Sequence, residues 1–168
     1  PSNTRMAERE SRVVGGLKHA RIGAIGARPA AFQTMRASEK LLQDSGITVV
    51  PVDLSEILGI AERIDNQAGE VKTKLLEIKE YGKIPSYIHQ EKIRIQAKFG
   101  LAVEQWINEN EIDAAGIQCW ESIQKNYGCA TCLSMSMLGE KMIPCACEVD
   151  VAGVISMYML GLAAGRPS

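Results

Sequence analysis

Four short apolar segments, separated by stretches with helical spacing, constrain the fold more than any other feature of this sequence. They cover residues 21–26, 47–52, 113–119 and 143–147. Their side chains are mostly apolar and show little polar alternation, which is typical of strands buried on both faces of a sheet. Strands of this kind that alternate with helices predict an α/β fold with a parallel sheet of about four to five strands.

Local signals predict where several of these elements begin and end. Asp53, with Glu56 three residues later, has the pattern of a helix N-terminal capping box in which Asp replaces Ser or Thr. Asp150 predicts the cap of a final apolar helix. Pro51 cannot donate a ladder hydrogen bond, so the second strand is expected at an edge or to end there. Residues 32–43 are predicted to form one helix between the first two strands.

The segment between the second and third strands is unusually long and is predicted to be helical. One helix is expected over residues 66–81, and a longer one ends near Asn110. Trp106 lies on the inner face of that longer helix and is predicted to be a core residue. The spacing shows no internal repeat, so we expect a long helical insertion within one domain.

Length and charge bound the class of protein. A chain of 168 residues fits one domain, with residues 1–20 as a helical or flexible lead-in and 21–168 as the α/β domain. The formal net charge of −1 argues against nucleic acid or an anionic membrane surface as a partner. The longest nearly apolar stretch, residues 151–164, is too short to span a bilayer. Five cysteines are an odd set, which favours reduced thiols and a cytoplasmic protein.

Four polar or aromatic residues follow the predicted strands and are the candidate site residues. Arg28 follows the first strand, Trp120 the third, and Glu148 and Asp150 the fourth. Ligands of open α/β sheets bind outside the carboxyl ends of the strands, and the carboxyl ends of parallel strands share one edge. The sequence therefore predicts that a cation, an indole and two carboxylates lie at that edge.

Each of these residues has a structural and a functional interpretation. Glu148 is placed to act as a general base or metal ligand, or it lies near a helix dipole. Asp150 is most simply a helix cap. Arg28 either binds a sugar hydroxyl, carboxylate or phosphate, or pairs with a carboxylate such as Glu39. Trp120 either stacks on a sugar ring or is a packing residue.

The cysteines allow a third interpretation. Cys129-x-x-Cys132 and Cys145-x-Cys147 could supply four thiolates for zinc, or the first pair could be a redox motif. One pair lies in a predicted helical region, however, and the other on a buried strand, so plain buried thiols are favoured. A small zinc or redox protein remains an alternative hypothesis.

The sequence resembles the L-fucose isomerase-like group, which is related to the L-arabinose isomerases. The resemblance is carried by residues 21–32, 49–57, 116–138 and, most specifically, 144–168 (PCACEVDVAGVISMYMLGLAAGRPS). In that last segment a strand ends in a Cys-Glu step, followed by x-Asp and an apolar helix. The resemblance implies a Rossmann-like three-layer domain from the middle of a longer enzyme.

The resemblance also implies aldose–ketose isomerisation, in which a carboxylate moves a proton through an ene-diol and a divalent cation, usually manganese, polarises the sugar oxygens. Glu148 matches the glutamate that is both metal ligand and acid/base. Arg28, Trp120 and Asp150 are the expected substrate-binding residues. The partner is then a small sugar, and a homo-oligomer is expected.

The departure from the group is at the C-terminus. The group's metal site also uses an Asp about two dozen residues after the glutamate and a more distant His, and its C-terminal domain is absent here. We therefore expect a domain or fragment of an isomerase that is inactive alone, holds no manganese by itself, and is completed by a missing domain or a partner subunit. A non-catalytic sugar- or phosphosugar-binding module is the alternative.

Overall fold

A computed structural model describes residues 3–167, and positions 1, 2 and 168 of the predicted lead-in and domain lie outside the described residues. The strands are β1 (Arg21–Ile25), β2 (Thr48–Val52), β3 (Ala114–Ile117) and β4 (Cys145–Cys147). The helices are α1 (Asn3–Leu17), α2 (Glu39–Asp44), α3 (Leu54–Arg63), α4 (Gly69–Tyr81), α5 (Gln90–Glu109), α6 (Cys132–Glu140) and α7 (Val151–Ala164). Each predicted apolar segment therefore contains a strand.

The strands form one parallel sheet in the order β2-β1-β3-β4. The predicted α/β class is confirmed, and residues 3–167 contain four strands. β2 is an edge strand, as Pro51 predicts. From β1 the chain passes to β2 on one side, and it then crosses back so that β3 pairs with β1 on the other side. The direction in which strands are added therefore reverses between β1 and β3. Such a switch point opens a crevice at the carboxyl edge.

Helices cover both faces of the sheet and make three layers. On one face, side chains of β1 and β3 pack with α7, in a core that includes Ile22, Ala114 and Val154. On the other face, Ile25 and Ile117 pack against α3, α5 and α6. Burial on both faces explains why the strands lack polar alternation. Within residues 3–167, no helix combines the length and apolar character needed to cross a membrane.

The predicted helical insertion consists of α3, α4 and α5. Trp106 is 7% exposed and belongs to the core, as predicted. α4 packs on α5 through a separate small cluster that includes Ile78 and Ile93. At this contact the Lys74 ammonium is buried and bonds Glu77 and Glu104 at 2.6 and 2.8 Å. A buried cation is tolerable there because two carboxylates compensate it.

The structure corrects one predicted helix. Residues 32–43 do not form a single helix: a short 3₁₀ turn spans Gln33–Met35, and α2 begins at Glu39. The Ser38 side chain accepts a hydrogen bond from the Leu41 amide, so Ser38 caps α2. The segment before it is held by the Arg28 guanidinium, which donates to the Phe32 carbonyl at 2.9 Å. The helix predicted over 66–81 begins three residues later, at Gly69.

Candidate functional site

An open cleft of about 740 Å³ lies at the carboxyl ends of β1, β2 and β3. It occupies the switch point of the sheet, where ligands of open α/β folds bind. Its polar walls come from the loop after β1, the start of α3 and the loop after β3; they include Gly26, Ala27, Asp53, Ser55, Glu56, Gln118, Ser122 and Asn126. The cleft offers backbone amides, together with side-chain hydroxyls, amides and carboxylates, to a polar ligand.

Gln118 connects the two loops that border this cleft. Its Oε1 accepts a hydrogen bond from the Ala27 amide at 2.9 Å, and its Nε2 donates to the Trp120 carbonyl at 3.2 Å. Gly26 makes room for it: Gly26 has φ +87°, and a Cβ there would lie 2.5 Å from Gln118 Oε1. Sequence inspection missed Gln118 because its partner is 91 positions away in the chain, and no local pattern marks such a contact.

Glu148 lies between the ends of β3 and β4, and its side chain closes the gap there. The residue is 3% exposed. Its Oε1 accepts from the Trp120 amide at 3.0 Å, and its Oε2 accepts from the Cys119 and Trp120 amides at 3.2 and 3.1 Å. Both oxygens therefore act as acceptors, an arrangement that suits a carboxylate anion.

The backbone at Glu148 adopts a conformation that side chains rarely take. Glu148 and Val149 have φ +57° and +59°, in the left-handed region that non-glycine residues seldom occupy. β3 supports this turn closely, because a Cβ on Gly116 would lie 2.9 Å from the Val149 backbone. Two consecutive left-handed residues cost of order 1–3 kcal/mol each, so the surrounding contacts must hold them in place.

Trp120 and Arg28 belong to a surface next to Glu148. The Trp120 side chain is 49% exposed, although its amide holds Glu148. Its ring contacts Phe32 edge-on, with centroids 5.3 Å apart. Arg28 donates from Nη1 to the carbonyls of Pro29 and Phe32. Among the described residues Arg28 forms no salt bridge, so the pairing with Glu39 that the sequence allowed is not formed.

Asp150 acts as a helix cap. Its Oδ1 accepts from the Gly153 amide at 2.8 Å at the start of α7, which confirms the predicted cap. The structure therefore brings Glu148, Trp120 and, through Phe32, Arg28 together at one edge. It leaves Asp150 occupied at the base of α7, and a role of Asp150 in binding substrate stays a prediction.

The four-cysteine set considered from the sequence does not converge. The sulfurs of Cys119, Cys132 and Cys147 lie within 4.8 Å of one another, whereas Cys129 and Cys145 lie outside this group. Burial would raise the pKa of Cys119, but hydrogen bonds from Thr131, Gln124 and Cys132 outweigh it and lower that pKa. Burial raises the pKa of Cys147 to about 12. The CxxC and CxC pairs therefore do not form the four-thiolate zinc site that their spacing allowed.

Manganese does not fit the described residues as a complete ligand set. This ion prefers several carboxylate, carbonyl or water oxygens. Glu148 offers one carboxylate, and both of its oxygens already accept backbone hydrogen bonds. Within residues 3–167, the only converging group of three or more His, Cys, Asp or Glu side chains is the cysteine trio.

Comparison with known proteins relates almost the entire chain to sulfoquinovose isomerases. The protein of that name from Priestia aryabhattai is 29% identical over 157 residues, 92% of this chain and 34% of the relative. The one from Alkalicoccus urumqiensis is 30% identical over 154 residues, 89% of this chain and 34% of the relative. The one from Clostridium sp. (strain MSTE9) is 26% identical over 163 residues, 95% of this chain and 36% of the relative. No protein-family model matches the chain.

The chain spans about a third of the length of these curated relatives. Their names confirm the expected relationship to sugar isomerases. Membership of the L-fucose isomerase-like group itself stays a prediction.

Proposed function

We propose that this chain is part of an aldose–ketose sugar isomerase of the L-fucose isomerase-like group, and that the carboxyl edge of its sheet faces the sugar. The observation that carries the proposal is the alignment of 89% or more of the chain with proteins named sulfoquinovose isomerase. The position of Glu148 at that edge supports it, because proton transfer between sugar carbons needs a placed acid/base.

The proposed substrate is sulfoquinovose, a sulfonated sugar. A sulfonate is an anion and needs a cation or several amide donors. Arg28 supplies a cation that bonds the Phe32 carbonyl, and the Phe32 ring contacts Trp120. The two hydrogen bonds of Arg28 within the described residues both start from Nη1. Nη2 is therefore the proposed donor to the sulfonate. Trp120, half exposed, would offer its ring to a face of the sugar.

Glu148 is the proposed proton-transfer residue. Isomerisation through an ene-diol moves a proton from one carbon to the neighbouring carbon, while the hydroxyl proton on the first carbon moves to the carbonyl oxygen on the second. A single carboxylate can carry the proton between the carbons, and the transfer between the oxygens is proposed to use groups outside this chain. The two amides fix the orientation of the Glu148 carboxylate and exclude most water from it. Such fixed orientation is what proton transfer at carbon requires. The sugar would approach along the side where Trp120 is exposed.

The other groups of the reaction are proposed to lie outside this chain. A single engaged carboxylate does not hold manganese, so any divalent cation needs ligands from another domain or subunit. A homo-oligomer, or a longer polypeptide of the relatives' length, would supply them. We expect the 168-residue chain alone to turn over little or no sugar.

A sugar-binding module without catalysis is the second candidate. It is favoured by the engagement of both Glu148 oxygens, which suits a residue that holds two loops together. Under this proposal the open cleft at the switch point binds the sugar or phosphosugar, and Glu148 has no contact with it.

Binding calorimetry on the chain tests these proposals. Sulfoquinovose is titrated against the wild type, Glu148→Gln and Arg28→Ala, with glucose as the neutral comparison. The isomerase proposal expects Glu148→Gln to weaken binding of both sugars by about 10-fold, or about 1.4 kcal/mol. Arg28→Ala should weaken sulfoquinovose alone. Trp120 fluorescence, read against buried Trp106, reports the same binding.

Glu121→Gln is the matched control, because Glu121 follows Trp120 but is exposed and pairs only with Lys125 among the described residues. Its binding should equal that of the wild type. Binding that survives Glu148→Gln unchanged favours the non-catalytic module. Absence of binding to either sugar contradicts both proposals.

A further inference from the structure

Three thiols from three separate elements meet beside the carboxyl edge. Cys119 follows β3, Cys132 is the first residue of α6, and Cys147 ends β4. Their sulfurs lie within 4.8 Å of one another. Successive cysteines of the trio are 13 and 15 positions apart and lie on different elements, so the packing of these elements brings the sulfurs together.

This spacing is close to that of a metal site. Zinc binds thiolate sulfur at about 2.3 Å in tetrahedral geometry, which places two ligating sulfurs about 3.8 Å apart. The present upper limit of 4.8 Å needs only a modest contraction. A disulfide needs sulfurs at about 2.05 Å and one specific dihedral angle, and it would use two of the three thiols. The arrangement of three therefore suits a shared ion better than a bond between two.

The trio also has access and a suitable setting. Cys119 is 3% exposed, Cys147 is half-buried, and Cys132 is exposed, so an ion can enter from the Cys132 side. The Gln124 amide donates to Cys119 Sγ at 3.3 Å, as outer contacts of metal ligands do.

We propose that Cys119, Cys132 and Cys147 bind one Zn²⁺ ion, with water as the fourth ligand on the exposed side. Binding converts three S–H groups to thiolates, forms three Zn–S bonds, and releases three protons to the buffer. No electron transfer is involved. The ion would join the ends of β3 and β4 to the start of α6.

This site adjoins the proposed isomerase site, because Cys147 directly precedes Glu148 in the chain, but it uses different chemical groups. It uses soft sulfur ligands, whereas the proposed proton transfer uses the Glu148 carboxylate. Cys119 and Glu148 are connected through the Cys119 backbone amide only. Zinc binding with no sugar binding, or the reverse, would therefore distinguish the two proposals.

The test is a zinc titration of the reduced 168-residue chain against a competing chromogenic chelator, for the wild type, Cys132→Ser and Cys129→Ser. Cys132 is exposed, so its replacement should leave the fold intact, which circular dichroism checks. Cys129 belongs to the same CxxC pair but lies outside the trio, and it is the matched control. Co²⁺ serves as a second probe, because sulfur-to-cobalt charge-transfer bands report the number of thiolates bound.

We expect one zinc per wild-type chain, the same for Cys129→Ser, and affinity weakened at least about 10-fold for Cys132→Ser, since loss of even an outer contact can have that effect. Zinc should also raise the melting temperature of the wild type. The proposal is overturned if the wild type binds no zinc, if Cys132→Ser binds as tightly as the wild type, or if Cys129→Ser loses binding equally. Oxidation to a disulfide without zinc uptake would likewise overturn it.

Discussion

The two halves of the carboxyl edge are built differently. Around β1 and β2 the edge is an open cleft, whose polar groups from Gly26, Ser55 and Gln118 face a volume of about 740 Å³. Around β3 and β4 the same edge is closed, because the Glu148 carboxylate accepts hydrogen bonds from the backbone amides of Cys119 and Trp120. One half is ready for a ligand, while the other satisfies its own polar groups.

The difference shows that an acidic residue at a strand end is not automatically an open site. Position in the fold brings Glu148 to the edge, but the local hydrogen bonds decide how much of it a substrate can reach. If Glu148 has the proposed catalytic role, its orientation is already set by the closed half, and the open cleft provides adjoining space.

Glu148→Ala should have the largest effect. It leaves the Cys119 and Trp120 amides without their acceptor in a buried place, so the free energy of unfolding should fall by about 3 kcal/mol. Glu148→Gln keeps one oxygen acceptor, so its free energy of unfolding should fall by less than that of Glu148→Ala. Urea unfolding measures both.

The control is Glu121→Ala, an exposed carboxylate in an ion pair with Lys125, which should change stability by less than about 0.5 kcal/mol. Equal losses for Glu148→Ala and Glu121→Ala would show that the closed half is not held by the carboxylate.

Gly26→Ala should be the largest single perturbation of the open half, at about 2 kcal/mol. The left-handed φ of +87° disfavours alanine, and the new Cβ would displace Gln118 from the Ala27 amide. In a Gln118→Gly background the added cost of Gly26→Ala should drop to about 1 kcal/mol, because the Gln118 Oε1 and Cβ atoms that the new Cβ would meet at 2.5 and 2.7 Å are both gone. Additive losses in this double-mutant cycle would contradict the coupling between the two loops.

Alkaline pH should lower the free energy of unfolding by less per pH unit than these substitutions do. The responsible group is the thiol of Cys145, the first residue of β4. Burial raises the pKa of Cys145 from 9.0 to about 12. Between these values the unfolded chain loses the thiol proton while the folded chain keeps it, so stability falls as pH rises. The expected slope from this thiol is about 1 kcal/mol per pH unit.

Urea unfolding of the wild type and Cys145→Ala under reducing conditions, from about pH 8 to about pH 10.5, measures this slope. The variant should show a shallower decline. Parallel declines would mean that burial of Cys145 does not govern its ionisation. Cys147, Cys129 and Tyr127, whose pKa values burial also raises to about 12, contribute to the decline in both proteins.

The sequence predicted those parts of the fold that depend on local chemistry. Apolar runs identify buried strands because both faces of a parallel sheet must be covered. Pro51 indicated an edge, and Asp53 and Asp150 indicated helix starts, since each acts through its own backbone neighbourhood. The helix predicted over 32–43 was wrong because Arg28 holds this segment by a contact from outside it.

The site was less predictable because its contacts are long-range. Strand ends indicated Glu148 and Trp120, but not that the side chain of one binds the amide of the other. Gln118 gave no signal, since its partner follows a different strand. Cysteine spacing allowed Cys129 and Cys145 as ligands beside Cys132 and Cys147, whereas the fold places Cys119 with the latter two.

The strand order also has a consequence for how the chain folds. β2 follows β1 closely along the chain, so these two strands can pair early. The contact of Arg21 with Asp113, in contrast, joins positions 92 residues apart, on either side of α3, α4 and α5. Closing so long a loop costs more conformational entropy than forming a local contact, and non-local pairing slows folding. β4 pairs only with β3, so it has no place in the sheet until β3 has docked. We therefore expect the hydrogen bonds of Glu148 to form late, so that the molecule completes its candidate site only after its core.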